Sequence, residues 1–119
     1  MVLTLNCKIW VENNGQKVFG DGPCEILQRV KHTGSLRMAA TEMNMSYSQA
    51  WKLIDDLESK LGFTLLYKKA GGHSGGGSVL TEKGEDLAET YTQFRREAQE
   101  SLEIIFEKHF IHRGEKWTR

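Results

Sequence analysis

Tyr47, Ser48, Gln49 and Lys52 bring two hydroxyls, a carboxamide and an ammonium into six residues of a stretch that otherwise repeats apolar side chains at helical spacing. Such groups suit hydrogen bonding to base edges and phosphates. Ser46 stands directly before them, and Ser46-x-x-Gln49 has the spacing of a capping box, which gives the orphan amides of a helix start their partners. A second polar cluster lies downstream. Lys68 and Lys69 close an apolar segment and lead into Ala70-Gly71-Gly72-His73-Ser74-Gly75-Gly76-Gly77. In such a loop the glycines let backbone amides approach a phosphate closely, while Lys68, Lys69 and His73 supply charge. The loop does not fit a nucleotide, because no Lys-Ser or Lys-Thr follows the glycines and Gly-x-Gly-x-x-Gly is absent. A plain solvated loop is the bland alternative.

No Ser-His-Asp, Cys-His or metal-ligand constellation accompanies these groups, so an enzyme is not expected, and neither a cofactor nor a metal is implied. His109-x-x-His112 has no carboxylate or cysteine at matching spacing and reads as part of a solvated tail. Cys7 and Cys24 lack Cys-x-x-Cys spacing and read as reduced and structural. There is no apolar run near ~18 residues and no basic-then-apolar leader, so no membrane partner is expected and the cytoplasm is the expected compartment.

The formal net charge is zero, with 16 basic and 16 acidic residues, yet the charges are segregated. Between Gln28 and His73 the bases Arg29, Lys31, Arg37, Lys52, Lys60, Lys68 and Lys69 outnumber the acids, and between Glu82 and Glu107 the acids dominate. Phosphate affinity follows the local cluster rather than the average, so a basic head on an acidic handle remains compatible with DNA.

These groups need elements to hold them. Leu36, Ala39, Ala40 and Met43 recur at i, i+3, i+4 and i+7, and Ala50, Leu53, Ile54, Leu57 and Leu61 repeat the stripe after a short break, which predicts a helix, a tight turn and a second helix. Ser35 caps the first, and the small Ala39 and Ala40 allow a close crossing. An ordinary helical hairpin with a solvated face would share this pattern. Upstream, Leu3, Leu5, Cys7, Ile9 and Val11 alternate with polar residues as in a half-buried strand, and Asn14-Gly15 favours a hairpin turn into Lys17-Val18-Phe19. Pro23 at a helix start and Ile26, Leu27 and Val30 predict a further core helix, stopped at His32-Thr33-Gly34. Phe63 to Lys69, the glycine loop and Ser78-Val79-Leu80 form strand, loop and strand, which is a wing. Thr81-Glu82 then opens a helix of roughly 27 residues, about 40 Å long, whose stripe of Leu87, Tyr91, Phe94, Ala98, Leu102 and Ile105 is too long for so small a head to cover. The simplest cover is the same helix of a second chain.

The fold class expected is α+β, mainly α: a winged helix-turn-helix with an N-terminal β-hairpin over residues 1–80, a long C-terminal dimerisation helix over 81–110 and a basic tail over 111–119. Lys8-Ile9-Trp10, Val18-Phe19-Gly20, Gly34-Ser35, Ala39-Ala40, Met45-Ser46-Tyr47, Ala50-Trp51, Leu53-Ile54, the paired glycine clusters and Leu80-Thr81-x-x-Gly84 together resemble the N-terminal DNA-binding domain of ModE-type, molybdate-responsive regulators. A looser likeness to LysR-type regulators rests on the Gly-Ser, Ala-Ala and Leu-Thr-x-x-Gly elements. The resemblance implies a dimer on a double-stranded operator, with Ser46, Tyr47, Ser48, Gln49 and Lys52 in the recognition helix. It implies wing and backbone contacts from Ser35, Arg37, Lys68, Lys69, His73 and Ser74. Regulators that sense molybdate themselves carry C-terminal oxyanion-binding domains, and this sequence stops before one could begin. Molybdate binding is therefore not carried over, and two readings stay open: sensing through a separate oxyanion-sensing protein, or response to another signal. The rival function is an interaction adaptor whose helix-turn-helix no longer binds DNA.

Overall fold

Asn14 and Gly15 both take positive φ, 52° and 78°, as a two-residue hairpin turn whose twist matches its strands requires. They join β1 (Trp10–Asn13) to β2 (Gln16–Gly20), antiparallel with Asn13 opposite Gln16. The coordinates are a computed structural model that describes residues 2–68 and 77–112. After β2 come α1 (Asp21–Thr33), α2 (Leu36–Glu42), α3 (Tyr47–Leu61), β3 (Leu66–Lys68), β4 (Ser78–Leu80) and α4 (Glu82–Phe106). A π-helical segment, Glu107–Ile111, continues α4.

The expected strand over Leu3–Val11 is shorter than its alternation implied. Pairing begins only at Trp10, yet Leu3, Leu5, Cys7 and Ile9 are half-buried while Val2, Thr4, Asn6 and Lys8 are exposed. A period of two records which side is covered and not what covers it. Here the cover is α4: the Tyr91 hydroxyl donates to Ile9 O at 2.9 Å, Arg95 Nη2 donates to Cys7 O at 3.2 Å, and Cys7 Sγ donates to Gln99 Oε1 at 3.1 Å. The segment runs antiparallel to α4 as an arm, with Leu3 and Leu5 reaching a cleft beside Phe106 and Ile111.

Caps in the sequence set most of the helix ends of the head. Gly34 and Gly62 close α1 and α3 at φ 74° and 83°. Ser35 accepts from Met38 N to open α2. The apolar stripes converge on one core, in which Phe19, Ile26, Leu27, Val30, Leu36, Ile54 and Leu65 are the largest fully buried side chains. Burying each such aliphatic side chain is worth ~1.5–3 kcal/mol, so these few residues set much of the head's stability.

The first wing strand begins at Leu66 rather than at the expected Phe63, because the backbone before it is engaged elsewhere. Leu65 N and Leu66 N donate to the Glu58 carboxylate at 2.6 and 3.3 Å, tying the wing to α3. Thr64 O accepts from the Thr81 hydroxyl at 2.7 Å, and Leu65 O accepts from Thr81 N at 2.9 Å. Thr81 is also the N-cap of α4, accepting from Gly84 N, and a Cβ on Gly84 would stand 2.4 Å from Leu65 O. The Leu80-Thr81-x-x-Gly84 motif is thus the clasp that docks α4 onto the wing. None of the helices among the described residues is long and apolar enough to cross a membrane.

Candidate nucleic-acid interface

The second helix of the helix-turn-helix presents its first two turns to solvent with the cap already closed. Ser46 Oγ accepts from Gln49 N at 3.0 Å, and Gln49 Oε1 accepts from Ser46 N at 2.9 Å. Ser48, Gln49 and Lys52 are exposed, while Ala50, Ile54 and Leu57 on the other side are buried. Tyr47 differs from the expectation that it faces outward with them. It is half-buried and turned along the helix, where its ring meets Trp51 edge-on at a centroid distance of 6.2 Å.

That pair is the middle of a longer row. Arg37 of α2 lies over the Tyr47 ring at 4.1 Å, and Lys68 of β3 lies over the Trp51 ring at 4.4 Å. Cation, ring, ring, cation therefore link the first helix of the motif, the recognition helix and the wing. Each contact at an exposed site is worth about 0.5–1 kcal/mol, enough to bias a long side chain toward one orientation. The Trp51 indole nitrogen is buried and has no hydrogen-bond partner among the described residues, so the contacts seen here are made by the face and edge of the ring. Trp51 was not among the candidate side chains read from sequence, although its i, i+4 spacing from Tyr47 was a usable signal.

Ion pairing sorts the cations of the head. Arg29 binds Glu25 and Glu42, each at 2.8 Å, Lys31 binds Glu85 at 2.5 Å, and Lys60 binds Asp56 at 2.9 Å. The guanidinium of Arg29 and the ammonium of Lys31 are held more firmly protonated, first of all by hydrogen bonds to these carboxylates. Arg37, Lys52 and Lys68 make no ion pair among the described residues. Three cations without an ion pair therefore gather around α3, two of them held over its rings, a local arrangement suited to phosphate binding. Ser35 is half-buried and committed to its cap. Lys69, His73 and Ser74 lie outside the described residues.

The long helix divides its stripe. Leu87 packs against the core, and Tyr91 is buried edge-on against Phe19 at 5.3 Å. The Tyr91 hydroxyl also donates to Asp21 Oδ1 at 2.5 Å, and Arg95 Nε reaches the same oxygen at 3.2 Å. Burial, followed by the Asp21 hydrogen bond, pushes the Tyr91 phenol well above its ordinary range, while the bond from Tyr91 holds the Asp21 carboxyl below its own. Ala98 is half-buried, and Phe94, Leu102 and Ile105 remain exposed at 51%, 37% and 52%, beyond the reach of the head. Cys24 is buried beneath α4, which raises its thiol, and both cysteines are free.

A helix-turn-helix followed by a two-stranded wing, with unpaired cations around the second helix, defines a winged helix-turn-helix of the DNA-binding type. The chain belongs to the bacterial regulatory helix-turn-helix proteins of the lysR family, whose model matches residues 24–85, just over half of its length. It is 31% identical over 91 residues to the transcriptional regulator ModE of Yersinia pestis, a match covering 76% of this chain and 35% of that protein. It is also 31% identical over 88 residues to the molybdenum transport protein ModE of Azotobacter vinelandii, covering 74% of this chain and 33% of the relative. The chain therefore spans about a third of the length of these curated relatives. Among solved structures, the CbnR_DBD–DNA complex aligns with TM-score 0.53 at 23% identity, over 69% of this chain and 88% of the other, which supports the fold alone.

Proposed function

We propose that this chain is a sequence-specific DNA-binding transcriptional regulator of ModE type, a binding module rather than an enzyme, working as a homodimer on a two-fold operator. The observation that carries the reading is the outward face of α3, where Ser48, Gln49 and Lys52 are exposed beside Arg37 and Lys68, whose charges have no carboxylate partner among the described residues. In this reading Ser48, Gln49 and Lys52 contact base edges, Arg37 and Lys68 contact phosphates, and Ser35, Ser46 and Tyr47 position the helix. Lys69, His73 and Ser74 add wing contacts on sequence grounds alone. The open flank of α4 at Phe94, Ala98, Leu102 and Ile105 pairs with its copy, which sets two recognition helices in successive major grooves on one side of the duplex. Leu87 and Tyr91 support that interface from within the chain.

The link to molybdenum rests on the relatives' names. Two readings follow: an oxyanion is sensed by a separate partner or within a longer protein that contains this segment, or the chain responds to another signal. Competition between selected operator and random duplexes at moderate salt tests DNA reading directly. Lys52→Ala should lower operator affinity by ~1–3 kcal/mol and relax preference at one position. A folded wild type without sequence preference would instead favour the adaptor. Selecting bound genomic fragments with and without molybdate tests the effector.

A further inference from the structure

The first turn of α3 offers hydrogen-bond donors and holds back its one carboxamide acceptor. We propose that Gln49 reads DNA through its NH2 group alone and selects the acceptor edge of guanine, rather than gripping adenine with both ends of its amide. This rests on the DNA-reading function proposed above and adds the base class to it.

The bidentate amide contact to adenine needs Oε1 to accept from N6 while Nε2 donates to N7. In this chain Oε1 already accepts from Ser46 N at 2.9 Å, and the reciprocal bond from Gln49 N to Ser46 Oγ at 3.0 Å holds the side chain curled over the helix start. Swinging the carbonyl toward a base would strip the Ser46 amide of its acceptor. The two N–H groups on Nε2 have no partner to lose among the described residues. Their neighbours have the same polarity: the Tyr47 and Ser48 amides are first-turn donors without intrahelical acceptors, and Lys52 adds an unpaired ammonium one turn on. The helix N-terminus adds positive potential. From Tyr47 to Ile54 there is no carboxylate. The first acids are Asp55 and Asp56, the latter paired with Lys60, and Asp55 lies about 10 Å along the axis from Ser48. In the major groove guanine shows two acceptors, N7 and O6, and no donor; adenine and cytosine each show an amino group that would face the Gln49 amino group, and thymine shows only one acceptor, O4, beside its methyl group. Guanine is the complementary edge.

Gln49→Glu separates donor from cap, because a glutamate at this position still accepts from Ser46 N while both N–H groups are lost. Operators are first selected from random duplexes with the full wild-type chain. Each guanine is then replaced by 7-deazaguanine, which lacks N7, and each adenine by purine, which lacks the N6 amino group. The wild type should lose about tenfold at one guanine in each half-site, the order of a single base contact. Gln49→Glu should bind the unmodified operator more weakly and show no further loss at that guanine. The ratio within the variant cancels its added negative charge, and the analogue scan on wild type stands even if the variant fails to fold. A Gln49-dependent loss at an adenine stripped of N6, indifference of the wild type to every guanine replacement, or an unchanged guanine penalty in Gln49→Glu would each overturn the inference and leave operator reading intact. Failure of the wild type to select any sequence would overturn operator reading itself.

Discussion

α3 and α4 are both amphipathic helices, and they resolve their apolar faces in opposite ways. In α3 every turn of the stripe is covered by the chain itself, from Ala50 through Ile54 to Leu57, so what the helix presents to solvent is its polar side. In α4 the first three turns are covered in the same manner by Ala88 and Tyr91, after which the head ends and the N-terminal arm shields only one flank. Phe94, Leu102 and Ile105 on the other flank stay open. A helix whose apolar face is satisfied within its chain presents chemistry, and one whose face is left half covered presents a surface for association.

The contrast can be broken most severely in the head. Ile54 is fully buried, and Ile54→Ala should cost ~2–5 kcal/mol of stability, read as a lower denaturant midpoint with little change in slope. A loss well under 1 kcal/mol would mean that the α3 stripe is not the organising contact. On the handle, Phe94→Glu should leave the thermal transition of the head nearly unchanged, shift sedimentation to monomer, and weaken operator binding about a hundredfold as the second half-site becomes independent. A dimeric Phe94→Glu protein would move the interface elsewhere.

The next change sharpens the comparison at the wing. Lys68→Ala removes the cation over Trp51, and binding should weaken by a similar factor on operator and random duplex, with the salt slope falling by about 0.9 for one lost phosphate contact. An unchanged slope would place Lys68 away from the backbone. The smallest effect is at the root of α4. Asp21 has an ordinary value of 3.8 that is lowered in the folded chain, chiefly by the bond from Tyr91. Its contribution is therefore complete above about pH 4 and is lost as pH falls through the lower folded value. Its side chain is 58% exposed, so solvent screening keeps the effect under ~1 kcal/mol. Asp21→Asn should flatten acid unfolding below pH 4 by that small amount, and an unaltered acid limb would show that the Tyr91 bond contributes nothing to stability.

What could be read from sequence was whatever depends on neighbours a few residues apart. Capping at Ser35 and Ser46, the Asn14-Gly15 turn, the helix stop at Gly34 and the two stripes of the helix-turn-helix are local interactions, encoded in spacing and found as expected. Contacts between distant segments were decided only on folding. The alternation from Leu3 to Ile9 is covered by a helix some 90 residues later, not by a strand, because either partner leaves the same period of two. Tyr91 and Phe94 occupy the same stripe by spacing, yet one is sealed against Phe19 and the other exposed, because the stripe runs past the end of the head. Trp51 gains its place between Tyr47 and Lys68 only when the wing folds back along α3, drawn there by the Glu58 carboxylate and the Thr81 clasp. Periodicity specifies a face, and only packing specifies what meets it.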